Sequence, residues 1–129
     1  MISLHGANMI RAQLTAILCP DEPNGDFSAY RPDNPTNFSC ALQLLVGIHN
    51  QGGGESFQLT LCTPQWLIEN HPSEDIVIGR NLLIVFDYNY PHIVQWLNRY
   101  IERCTGETWK DVAKRVSYIG RGEFEDYQP

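Results

Sequence analysis

The stretch that most restricts the fold is residues 37–62, NFSCALQLLVGIHNQGGGESFQLTLC. Two alternating apolar runs flank NQGGGE, whose glycines can take the positive φ that a chain reversal needs. This predicts a β-hairpin. Its first strand places Phe38, Cys40, Leu42, Leu44 and Val46 on one face, where Phe57, Leu59 and Leu61 meet them across the pair. The triple glycine also suggests a phosphate-binding loop, but the Lys-Ser/Thr ending and following helix of such a loop are missing.

The other elements are read from what could cover that apolar face. In IRAQLTAILC, residues 10–19, alternation puts Ile10, Ala12, Leu14, Ala16 and Leu18 on one side of a first strand. The next stretch, PDEPNGDFSAYRPDNPT, holds four prolines and cannot supply a ladder, so it is expected to be a long ordered connection pinned by Phe27 and Tyr30. NLLIVFDY, residues 81–88, is a continuous apolar run of strand formers and is predicted to be an interior strand in the middle of the sheet.

Helix signals are local and explicit. Thr63 as cap and Pro64 at the first position start a short helix through PQWLIEN, with Trp66 and Leu67 as its buried side and HPSED as its stop. Asn89 and Pro91 open a longer helix in which Ile93, Val94, Trp96, Leu97, Tyr100, Ile101 and Cys104 draw one apolar stripe. Thr108 and Asp111 approximate a capping box for another, with Trp109, Val112, Ala113 and Val116 inward and Gly120 as its stop. The order predicts an α+β fold: a mostly antiparallel sheet of about four to five strands with two amphipathic C-terminal helices and one short helix. With 129 residues and no repeat or linker, residues 1–129 are expected to form a single domain.

The tail, IGRGEFEDYQP, sets Phe124 and Tyr127 among Glu123, Glu125 and Asp126. Exposed rings need packing or a partner, so residues 123–127 are expected to be ordered against the sheet or the second helix, a short edge strand being one form this could take.

Nine basic and fifteen acidic residues give a formal net charge of −6, which argues against nucleic acid or an anionic membrane as partner and favours a basic one. Cys19, Cys40, Cys62 and Cys104 lie far apart in apolar stretches, the pattern of buried reduced thiols. That pattern, the lack of a charged and then apolar leader, and the lack of an apolar run near the ~20 residues of a membrane span lead to the expectation of a cytoplasmic protein. His5, His49, His71 and His92 have no ligand partner at metal-site spacing, and no nucleophile elbow occurs. The carboxylates at Asp21, Glu22, Asp26, Glu74 and Asp75 and in the tail read as solvated surface, and GRG at 120–122 is too short for a dinucleotide loop. No catalytic, metal or cofactor site is predicted.

ESFQLTLCTPQWL (55–67), GRNLLIVFDYNY (79–90) and GETWKDVAKRVSYIGRGEFEDY (106–127), in that order, resemble the immunity protein 8 family of bacterial polymorphic toxin systems, including contact-dependent inhibition. The likeness runs from residue 9 to residue 127, which leaves residues 1–8 as either an N-terminal extension or an upstream start. It implies a cytoplasmic antidote, not an enzyme, that binds the toxin domain of its own strain or kin, many such domains being cationic nucleases. Together with the acidic balance, it places partner contacts among Glu74, Asp75, Asp87, Glu123, Glu125 and Asp126, with no direct nucleic-acid or membrane contact; the oligomeric state stays open, a monomer being favoured. Two other classes compete. A structural module would bury an apolar face against its own copy, and a hydrolase would need a pocket lined by His92, Asp87 and a nucleophile.

Overall fold

The computed structural model describes residues 9–71, 73 and 76–123. Its elements are β1 (Ile10–Leu18), β2 (Ser39–Ile48), β3 (Gly52–Cys62), α1 (Pro64–Asn70), β4 (Leu82–Ile84), α2 (Tyr90–Glu102), β5 (Thr105–Gly106), α3 (Trp109–Val116) and β6 (Arg121–Gly122). The fold is α+β, with the sheet order β4-β3-β2-β1-β5 and β6 also paired to β3. The sheet is mixed and has six strands, because β3 and β4 run parallel. The physical reason is the α1 crossover: a helix and loop between two strands return the chain to the end where it started, which a tight turn cannot do.

The hairpin forms as its sequence requires. Cys40 faces Leu61, Leu42 faces Leu59 and Leu44 faces Phe57, and all six are buried. Asn50, Gly52 and Gly53 take positive φ in the turn. At Gly54 a β-carbon would sit 2.7 Å from the Val46 carbonyl oxygen, so only glycine lets the strands close there. On the covered face Leu97, Ile101, Val112 and Val116 of α2 and α3 are fully buried, together with Ala12, Leu44 and Leu61 of the sheet.

Four expectations are corrected. The alternation of β1 breaks at a bulge between Leu14 and Ala16, so that Leu14 lies opposite Val46 but Ile17 lies opposite the core residue Leu44. The extra residue, Thr15, donates its hydroxyl to the Leu45 carbonyl at 3.0 Å, and past it Ala16 and Leu18 change faces. Helix α1 buries no residue, and Trp66 and Leu67 are only half-buried. It holds to the surface through its cap and through an Asn37 to Glu69 hydrogen bond.

Third, α3 ends at Val116 with a right-handed cap at Ser117, and Gly120 is not a left-handed stop. Gly120 serves close approach instead, since a β-carbon there would lie 3.3 Å from the Gln58 carbonyl oxygen. Fourth, NLLIVFDY is neither central nor wholly strand: β4 keeps three residues, at the end of the sheet order. The Val85 N–H still reaches the Cys62 carbonyl at 2.9 Å, but the Tyr88 N–H bonds Pro35 at 2.8 Å and the chain turns toward the long connection. There Tyr88 packs edge-on against Phe27, Tyr30 and Phe38, so Phe27 and Tyr30 do pin that connection.

At the tail, β6 pairs Arg121 with Gln58 and Gly122 with Phe57. The Glu123 N–H donates to the Ser56 carbonyl at 2.9 Å, and the Ser56 N–H donates to the Glu123 carboxylate at 2.8 Å. The expected docking of Phe124 and Tyr127 lies outside the described residues.

Candidate partner-binding groove

The groove is built by α2 and the chain leaving β4. Asn89 caps α2 by accepting the His92 N–H at 3.1 Å, which fixes where the first turn points. Ile93, Leu97 and Ile101 then point into the core. Trp96 falls about 100° from the centre of that stripe at the helical ~100° per residue, so it flanks the core and does not enter it. It is 41% exposed and stacks on Tyr100, with ring centroids 5.3 Å apart. Across from it, Leu83 pairs in register with the buried Leu61, whereas Ile84 is 47% and Phe86 81% exposed.

Between residues 83–87 on one side and Asn89, His92, Ile93 and Trp96 on the other lies a cavity of about 320 Å³. Its walls are mainly apolar, and Asp87 carries the one formal charge among the lining residues. Asp87 and His92 therefore do share a pocket. No Ser, Thr, Cys or Tyr lines it, so the nucleophile that a hydrolase would require there is missing among the described residues.

The remaining acids have different settings. Glu123 is tied to Ser56 near the start of β3, whereas Asp87 lies past the Cys62 end, where Tyr88 packs on Phe38. Six residues of strand separate Ser56 from Cys62, roughly 20 Å of β3, so these two carboxylates do not share one patch. Glu74, Asp75, Glu125 and Asp126 lie outside the described residues.

All four cysteines are free and buried. Burial, then Cys19 beside it, pushes the Cys40 thiol up to about 12, and burial also raises Cys19, Cys62 and Cys104. Such thiols stay protonated at neutral pH and make poor nucleophiles. Among the described residues no three His, Cys, Asp or Glu side chains come together as a metal site. None of the described helices is long and apolar enough to cross a membrane.

Ile84, Phe86 and Trp96 were not legible as surface residues, because an apolar run and an apolar stripe both read as core. Two signals were present: the polar exit DYNY directly after Phe86, and the position of Trp96 at the margin of its stripe.

Fold and groove together define a two-layer α+β protein with one helix-covered sheet face and an apolar recess at the β4 edge. The model of the family described as Immunity protein 8 matches residues 12–127, and the chain belongs to that family. Membership makes it an immunity protein of toxin systems. No curated protein and no solved structure matches the chain.

Proposed function

We propose that this protein acts in the cytoplasm as a monomeric antidote, binding the toxin domain of its own system and blocking its active site or the surface beside it. The observation that carries this is the family match over residues 12–127, nearly the whole chain. The chemistry of the groove agrees with it: an apolar recess with one carboxylate suits a protein surface better than a reaction. The net charge of −6 fits a cationic toxin such as a nuclease. The chain itself contributes no catalysis, cofactor or metal.

Asp87 and Glu123, with Glu74, Asp75, Glu125 and Asp126, are the acids proposed to steer the encounter. Steering acts mainly on association, so raising ionic strength slows binding more than it speeds release. The deciding experiment is co-expression with the C-terminal toxin domain encoded immediately upstream, set against an unrelated toxin. Growth is expected with the first and arrest with the second. Arrest with both would remove the antidote assignment.

A further inference from the structure

We infer that the groove between β4 and α2 is where the toxin domain docks, by inserting an apolar side chain flanked by a lysine or arginine. This rests on the antidote reading above and deepens it by naming the surface and the chemistry of what enters.

Leaving these groups in water has a cost. Phe86, Ile84 and Trp96 are 81%, 47% and 41% exposed around one recess, although their sequence has the pattern of buried strand and helix residues. A soluble chain gains nothing for its own fold from a phenylalanine left that far out, whereas an aromatic beside a pocket is the usual anchor of an interface. Trp96 is already held by its stack on Tyr100, so little rotamer freedom is lost when a partner covers it.

Charge selects the partner. Asp87 sits at the groove with no cationic side chain among the lining residues, on a chain of net charge −6. A partner that covers the recess with an apolar group alone would leave this carboxylate desolvated and unpaired. One that brings a Lys or Arg beside the apolar group pairs it, and can also lay the cation near the Trp96 ring. A basic toxin surface meets both conditions, whereas a second copy of this acidic chain would bring its own Asp87 and add like charge.

The recess is walled by a capped helix of 13 residues and by strand-linked backbone whose Val85 N–H is bonded to Cys62. The site is thus pre-formed, which lowers the ordering cost of binding.

The test uses the full chain and a catalytically inactivated form of the toxin domain encoded immediately upstream, with affinity measured by calorimetry. Phe86→Asp and Trp96→Ala are the groove variants. Gln58→Glu, at an exposed position of β3 outside the groove, adds the same charge as Phe86→Asp and serves as control. Phe86 is exposed enough that its replacement leaves the fold unchanged, which circular dichroism checks.

Docking in the groove weakens binding by a factor of ten or more in both groove variants and by less than threefold in Gln58→Glu. If wild type binds and Phe86→Asp binds within tenfold of it, the groove assignment falls and the antidote reading stands. No binding by wild type overturns both. Light scattering that shows a wild-type dimer and a Phe86→Asp monomer assigns the face to self-association and overturns the proposal.

Discussion

Thr63 performs two tasks with one side chain. It is fully buried, and its hydroxyl oxygen accepts the Trp66 N–H at 3.4 Å, which starts α1, and the Phe38 N–H at 3.2 Å, which ties the helix entry to β2. Replacing it with Val keeps the shape and removes the acceptor, so two backbone N–H groups lose their bond. The expected loss is ~1–3 kcal/mol in urea unfolding, with Thr63→Ser losing less. Gly122 is a second residue whose role is spatial: a β-carbon there would lie 2.6 Å from a Glu55 carboxylate oxygen and 3.0 Å from the Phe57 ring. The other Glu55 oxygen accepts the Trp109 indole N–H at 3.1 Å, so the buried carboxylate cannot move away without losing that bond. Gly122→Ala should therefore destabilise by ~1–3 kcal/mol, and an unchanged unfolding midpoint would refute the tight fit.

Elements differ in how far local chemistry fixes them. The hairpin and the three helix starts were legible because caps, turn glycines and alternation act over a few residues, and Thr63, Asn89 and Thr108 all cap as their sequence indicates. The face of a strand past a bulge is not local, since Thr15 flips β1 only in response to the register of β2. Nor is the position of an apolar run in a sheet: β4 lies at the end of the order because α1 sets its crossover and Pro35 receives Tyr88. The tail element gives a test. Since β6 and Glu123 together hold Phe57, Gln58 and Ser56 of β3, removing residues 121–129 should lower the melting temperature. A truncated chain that melts with wild type would show that this edge contributes nothing to the fold.

At the scale of the whole molecule, the aromatic and thiol cluster under the long connection sets a limit at alkaline pH. Burial pushes Cys40 and Tyr88 each up to about 12, and Cys19 and Tyr30 are raised as well, again chiefly by burial. Each of these groups has a folded pKa above its unfolded one, so the native chain keeps protons that the unfolded chain releases. Stability is therefore complete below about pH 9 and falls as pH rises toward about 12. Urea unfolding in reductant at pH 8 and pH 10.5 should give a lower midpoint at the higher pH. The drop should shrink in Cys40→Ala, and equal drops in the two proteins would exclude this thiol as a source.

Order along the chain was set by the sequence itself: strand, connection, hairpin, short helix, strand and two helices follow from caps, turns and periodicity, all of which act within a few residues. The family likeness was also carried by words of sequence. The tertiary structure decided which apolar residues stay wet. Ile84 and Phe86 have the composition of core, and only the end position of β4 leaves them at the surface. Trp96 sits at the margin of its apolar stripe, and with Ile93, Leu97 and Ile101 turned into the core its ring is left beside a recess. Burial depends on what the rest of the chain brings alongside, a property of long-range packing that a local pattern signals but does not fix.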